Sequence, residues 1–457
     1  MSARADLDVA VVGAGFSGLA AARRIAAAGL KVVVFEANDR VGGRVDREDL
    51  GDGLVLDLGG TWTGPTQDRI ASLAAEVGVE VFPQFADGRN QIEFNGRVRS
   101  YGGTIPRLGV GALLDLARLQ FGAGRAAKRV AAGSPWDARK ADLLDSITLE
   151  DWMCQRHHGQ TAQQLLGIAG KTIWGAEPRE MSLLYVLHYI ASAGGLDALL
   201  DTEGGAQHER FTGGALSVAE RVAAELGDRV VLNAPVEAIS TEADAVVLQL
   251  ADQTVRADQV IVALPPPLCE RISFAPALPE ARAELQRSWR MGALTKVFAV
   301  YKRPFWRDAG FTGEALSDAS PASLTFDVSP EDRSQGVLVG FVGGDDARSY
   351  AKLEASARRA LVLEGFARLY GHEALEPERW LERDWAAQPW SRGGPVAIAP
   401  PGALTSGREA LRAPIGRLHW AGTETAERSA GYIDGAVRSG ERAADEILAG
   451  LSARRSA

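Results

Sequence analysis

Only two cysteines, Cys154 and Cys269, occur in 457 residues, and they lie far apart with no partner spacing. Neither a disulfide framework nor a cysteine-ligated metal centre is indicated. The six histidines show no ligand spacing. His157 and His158 are adjacent, point apart on any regular element, and read as a solvated pair. No metal is expected. No apolar run approaches the roughly 20 residues that span a bilayer, and no Lys/Arg cluster stands out. With 50 basic and 59 acidic residues the formal charge is −9, which disfavours nucleic acid and anionic membrane as partners. The first strand begins by about Leu7, which leaves no space for a signal or transit peptide. The expectation is a cytoplasmic protein with a small-molecule ligand. Its length suggests two or three domains, and 46% apolar with 24% charged residues is ordinary for a soluble globular chain.

What is present is concentrated in residues 8–44. A short apolar run ends in Gly13-Ala-Gly15-Phe16-Ser17-Gly18 and enters an Ala-rich helical stretch closed by Gly29. A second strand, from Lys31, ends on Glu36-Ala37. Each part has a physical role in dinucleotide binding. Gly13 makes the tight turn, Gly15 has no Cβ to block a pyrophosphate, and Gly18 lets the helix lie close on the sheet. The free N–H groups of the helix start attract the diphosphate. A carboxylate at Glu36 can accept hydrogen bonds from both ribose hydroxyls, which argues against a 2′-phosphate and leaves FAD or NAD. The extension Arg40-Val-Gly42-Gly43-Arg44 favours FAD, because a second glycine pair and an arginine can follow the diphosphate toward a flavin.

Downstream, a strand near 54–58 leads into a glycine loop, and residues 68–77 form an amphipathic helix with Ile70, Leu73 and Val77 on one face. Residues 81–100 read as short strands, with Asn95-Gly96 a hairpin turn. From Leu108 to about Ala193 the pattern is helical, broken at Gly133-Ser-Pro135 and Glu177-Pro178. A helix over 216–226 then precedes strands at 229–233, 245–250 and 254–263. Residues 290–390 alternate strands (295–301, 337–342) with a helix over 353–369. The chain closes with a buried strand at 417–420 and a long helix over 431–448. The fold class expected is α/β: a discontinuous Rossmann-like FAD domain (1–80, 210–288 and 390–450), an interleaved α+β substrate domain (81–209 and 289–389), and a frayed tail at 451–457.

Several stretches, in order along the chain, resemble the flavin-containing monoamine oxidase family, with bacterial amine and putrescine oxidases nearest. They are 13–18, 40–44, 59–67, 178–189, 204–214, 296–306, 400–402 and 421–443. The resemblance implies a flavin-contacting set that adds Gly59, Gly60, Thr61, Trp62, Val236, Trp385, Gly422, Glu424, Tyr432 and Ile433. It makes Lys296 a lysine that holds a water near flavin N5 and assists oxygen reduction, and Tyr432 one wall of an aromatic cage that directs the amine. The Gly-Thr-Glu turn at 422–424 and the following helix place a helix N-terminus at the flavin pyrimidine edge, where reduced flavin carries negative charge. Such an end contributes about 0.3–2 kcal/mol.

Departures from the family pattern are informative. Where members with covalent flavin carry a cysteine and then a tyrosine, this chain has Gly394 and Pro395, so FAD is expected to be non-covalent and the second cage wall missing. Leu324 stands where diamine oxidases carry an acid, with Asp327 close by, and a second ammonium there would be unpaired. The pocket candidates are Leu199, Leu200, Leu324, Phe326 and Pro395. The resemblance thus implies that a neutral, apolar monoamine loses hydride to flavin N5, the imine hydrolyses to aldehyde and ammonia, and O2 returns the flavin to its oxidised form with release of H2O2. Rival readings are an L-amino-acid oxidase, with Arg392 as the candidate carboxylate clamp, a diamine oxidase, a flavin-binding protein without turnover, and an NAD-dependent dehydrogenase. A homodimer is compatible with all of them.

Overall fold

The computed structural model describes residues 6–103, 109–332 and 334–456. The strands Leu7–Val12 and Val32–Phe35 run parallel, with Val9 opposite Val32 and Val12 opposite Phe35, joined by the helix Phe16–Ala27. Both are nearly continuous in apolar residues because elements cover both faces of this sheet. The sheet has eight strands. Thr254–Val262 lies parallel to Leu7–Val12 on one side and to Leu418–Trp420 on the other. Val236–Thr241, Val246–Leu250 and Thr254–Val262 form an antiparallel meander that returns the chain to the parallel core. The long helix Ile433–Ser456 packs with Phe16–Ala27 in one apolar cluster that includes Leu19, Ile25, Val437 and Ile447.

A second, seven-stranded sheet is built from Arg89–Phe94, Arg97–Tyr101, Leu294–Tyr301, Phe311–Ser317, Leu324–Asp327, Gly336–Gly343 and Arg379–Asp384. Asn95 and Gly96 both have positive φ (52° and 70°), the turn that matches strand twist in a two-residue hairpin. The helices Val110–Ala127, Gln160–Trp174 and Leu183–Ser192 share a separate core with Leu119, Trp174 and Leu187.

Several local expectations are corrected. His157 and His158 are not a solvated pair. His157 is exposed, but His158 is 7% exposed, its Nδ1 lies 2.9 Å from Asp115 Oδ1, and its ring lies 5.7 Å from Trp152. The reason is a chain reversal at His157 (φ 54°), which turns the next side chain inward. The strand expected at 229–233 is only Val230–Val231, because Asn233 (φ 53°) leaves the ladder and bonds Asn38 O. The helix expected from 353 begins at Ala355, and the final helix continues past Leu448 through the expected frayed tail to Ser456. Leu108, the expected start of the helical block, lies outside the described residues.

Candidate active site

Where the two sheets approach, one cavity of about 450 Å³ runs from the glycine turn of the first sheet to the face of the second. At its first end Gly13 turns the chain at φ +99°. A Cβ on Gly18 would stand 1.9 Å from Gly13 O, so only glycine lets this helix seat so closely. Gly15 is the helix N-cap and offers no side chain, which leaves the first-turn N–H groups for an anionic ligand. Phe16 and Ser17 line the cavity beside them. Glu36 accepts from Ala14 N–H at 2.6 Å and from Asn38 N–H at 2.9 Å. A carboxylate has about four acceptor sites, so capacity is left for ribose hydroxyls. Burial raises the Glu36 pKa, and the backbone N–H groups of Asn38 and Ala14 oppose that shift. These residues fit a dinucleotide.

Farther along, Arg44 donates to both oxygens of Glu424, at 2.6 and 3.0 Å, and to Pro395 O at 3.0 Å. Glu424 is almost fully buried, and its Oε1 also accepts from Ala397 N–H at 3.0 Å. One ion pair therefore ties the diphosphate loop, the Gly-Thr-Glu turn and the 395–397 segment together. Arg40 donates to the carbonyls of Val41, Gly43 and Val45 and shapes the same loop. A Cβ on Gly59 would meet Arg44 O at 2.2 Å, and Trp385 Nε1 donates to Leu58 O, so residues 58–60 lie flat on this loop.

Lys296 projects from the strand Leu294–Tyr301 into the middle of the cavity wall and is 2% exposed. Its ammonium donates to Asp57 O at 2.6 Å, Gly59 O at 3.0 Å and Thr61 Oγ1 at 2.9 Å. Three acceptors for three protons suit the charged form. Burial opposes it and pushes the pKa down to about 7, while Asp57 is pushed up by burial to about 6, each group counteracted by the other's charge. The water-holding role implied for Lys296 requires a fourth partner to share one of these protons.

Tyr432 stands immediately before the helix Ile433–Ser456, and its ring lies 5.8 Å from Tyr189, which in turn meets Trp174 edge-on at 5.3 Å. Register sets the remaining floor. Lys296 is opposite Phe341, Phe341 opposite Leu324, and Leu324 opposite Leu316, so one row crosses four strands with its side chains on one face. All four line the cavity, with Phe326, Leu199, Leu200 and Pro395.

Most of the expected site residues are thus brought to one cavity. They comprise Gly13, Gly15, Phe16, Ser17, Glu36, Gly42, Gly43, Arg44, Gly59, Gly60, Thr61, Trp62, Lys296, Trp385, Gly422, Tyr432, Ile433 and the five pocket candidates. Gly18, Ala37, Arg40, Val236 and Glu424 are not on its wall. Gly18, Arg40 and Glu424 shape it from behind, and Val236 belongs to a separate core. Arg392 is exposed and off the wall, and Asp327 is held by Trp306 Nε1 at 2.7 Å and Arg307 Nε at 2.6 Å instead of facing the cavity. Sequence reasoning missed Asn38, Trp174, Tyr189 and Glu314 on the wall. Trp174 and Tyr189 sit among apolar residues at helical spacing, a pattern that cannot separate cavity wall from core.

Comparison with known proteins agrees with this geometry. The family model described as flavin containing amine oxidoreductase matches residues 16–448. AofH of Mycobacterium tuberculosis, named as a flavin-containing monoamine oxidase, is 44% identical over 97% of both chains. The L-amino acid dehydrogenase of a Synechocystis strain is 35% identical over 98% of this chain and 96% of its own. Cyclohexylamine oxidase from Brevibacterium oxydans superposes with a TM-score of 0.95 at 33% identity, covering 98% of this chain and 100% of that one. Putrescine oxidase bound to putrescine gives 0.93 at 33% identity, covering 97% and 99%.

Proposed function

This chain belongs to the flavin-containing amine oxidoreductase family, and on that premise we propose that it oxidises a primary monoamine with an apolar tail. It is a flavin amine oxidase and its cofactor is FAD. The observation that carries the substrate reading is the floor row Lys296–Phe341–Leu324–Leu316, apolar from its second member onward, with Phe326 and Leu199 beside it. An apolar chamber favours the neutral form of an amine, which is the form that can react. Tyr432 would set the direction of approach, and Gly394 and Pro395 themselves bring no aromatic ring to the cavity. The Arg44–Glu424 pair would hold the isoalloxazine end of the cradle in register with the turn at Gly422. Lys296 would keep a positive charge beside the reacting atoms. The chemistry the flavin supplies when bound is acceptance of two electrons from the amine's α-carbon.

An amino acid would need an arginine for its carboxylate. Arg44 is the arginine on the wall among the described residues, and Glu424 occupies it. The decisive comparison measures H2O2 released from alkyl and aryl monoamines and from their α-carboxylated parents. Monoamines should be preferred by at least about tenfold, the value of one lost charge-assisted bond. Equal or better turnover of the amino acids would overturn the reading.

FAD is proposed to be held without a covalent link. Neither Cys154 nor Cys269 lines the cavity, and position 394 carries no thiol. Acid precipitation should leave the yellow flavin in the supernatant; colour retained in the washed pellet would contradict this.

Among the described residues no helix is long and apolar enough to cross a membrane, and no group of three or more His, Cys, Asp or Glu could hold a metal ion.

A further inference from the structure

Asp57 gives Lys296 more than the carbonyl oxygen that accepts from its Nζ at 2.6 Å. Covalent geometry keeps an aspartate's carboxyl carbon within about 5 Å of its own carbonyl oxygen. The Asp57 carboxylate and the Lys296 ammonium therefore lie within about 7.5 Å of each other. Asp57 closes the strand Val55–Asp57, and its Oδ1 accepts from Ala215 N–H at 2.8 Å. Ala215 is the N-cap of the helix Leu216–Leu226, whose dipole favours a negative charge at this end. A Cβ on Gly214 (φ 84°) would stand 2.8 Å from the same oxygen, so a glycine leaves the carboxylate its place.

Two arginines also bear on the pair. Arg210, on Glu209–Phe211, donates to Val328 O at 2.7 Å and to Ser329 O, and lies over the Phe82 ring. Arg47, on Arg47–Asp49, donates to Gly213 O at 2.7 Å and pairs with Glu220. Burial disfavours both the Asp57 anion and the Lys296 cation, and each charge offsets it in the other. The Ala215 N–H, Arg210 and Arg47 further favour the anion, whereas Arg210 disfavours the cation. The anion is thus the group that lets a buried ammonium persist here.

We propose that Asp57 is a positioning residue for Lys296: its carbonyl fixes the ammonium in place, and its carboxylate keeps the ammonium charged at neutral pH. Asp57 thereby sets the pH range over which the oxygen step runs fast. That consequence rests on the role of Lys296 given above; the control of its charge does not.

The test uses the FAD-loaded enzyme and Asp57→Asn, whose amide oxygen can still accept from Ala215 N–H. Flavin absorbance is followed as the anaerobically reduced enzyme meets O2, on both sides of neutral pH. Loss of the anion should move the pH break down by about one to two units and slow the step about tenfold or more at about pH 7.5. In a Lys296→Met background the same change should add less than about twofold, because no ammonium remains to be held. Lysine Cε NMR of the holoenzyme, with the Lys296 signal assigned by its loss in Lys296→Met, should show the Lys296 titration move down by the same interval. Asp57→Ser serves for both readouts if the amide variant does not fold. A pH break and a Lys296 titration left at their wild-type positions would overturn the proposal, even with flavin content or melting temperature lowered, since that pattern marks a purely structural role. An equal loss of rate in both backgrounds would overturn it too. Failure of the Lys296 reading is distinguishable: Lys296→Met would then be reoxidised as fast as the wild type, while the NMR titration still decides whether Asp57 sets the charge.

Discussion

Glu424→Ala is expected to yield a protein that retains little FAD and melts well below the wild type. The carboxylate is almost wholly buried and makes three charge-assisted bonds, two from Arg44 and one from Ala397 N–H. Removing one member of a buried pair leaves the other charge uncompensated, at a cost of about 3–5 kcal/mol. The loss would not stay local. Arg44 also donates to Pro395 O, and Arg44 O lies under Gly59, so the diphosphate loop, the pocket wall and the glycine loop loosen together. Glu424→Gln should be milder in packing but still leave the Arg44 charge unmatched. Flavin content by absorbance and a thermal melt followed by flavin fluorescence decide the matter. Wild-type flavin occupancy with an unchanged midpoint would show that the pair is dispensable.

Lys296→Met tests the proposed electrostatic role. With its three protons on Asp57 O, Gly59 O and Thr61 Oγ1, the ammonium is a fixed positive charge in a water-poor wall. A preorganised charge of this kind, aimed at negative charge developing on reduced oxygen, is worth about 10²-fold in rate. The methionine variant should lose about that factor in the oxygen half-reaction, read as the return of flavin absorbance after anaerobic reduction. The sign of the pH effect follows from the Lys296 pKa, which burial lowers to about 7. Below that pH the ammonium is present and the step is fast; as pH rises through about 7 the proton is lost and the step slows. The variant should be slow at every pH. A variant as fast as the wild type, or one that keeps the same pH break, would remove Lys296 from the oxygen step. Asp57, raised by burial to about 6 and partly held down by the Lys296 charge, should shift further toward its neutral form in the variant.

The legible part of the site was the part whose chemistry depends on neighbours in sequence. Gly13, Gly15 and Gly18 act within one turn, and the clash that a Cβ on Gly18 would meet comes from Gly13 itself. Glu36 closes the next strand in the same unit. The family resemblance brought Lys296 and Tyr432 forward, and both line the cavity with the five pocket candidates. Val236 and Ala37 lie off that wall, because a resemblance carries a position along the chain and not the direction in which its side chain turns.

The remaining site residues depended on contacts distant in sequence. His158 read as solvated because two adjacent histidines point apart on any regular element, yet Asp115, on the helix Val110–Ala127, faces it. Leu324 without an acid read as a purely apolar site, and Asp327 beside it proved to be occupied by Trp306 and Arg307. The carboxylate that does face the chamber, Glu314, belongs to a strand expected only in outline.

Local order alone therefore determined the dinucleotide turn and the direction of its first helix, since each follows from backbone freedom within a few residues, whereas the family resemblance made the missing thiol at position 394 informative. Tertiary structure decided which charges share a cavity. Strand register, a property of pairing between distant segments, put Lys296, Phe341, Leu324 and Leu316 in one row across four strands.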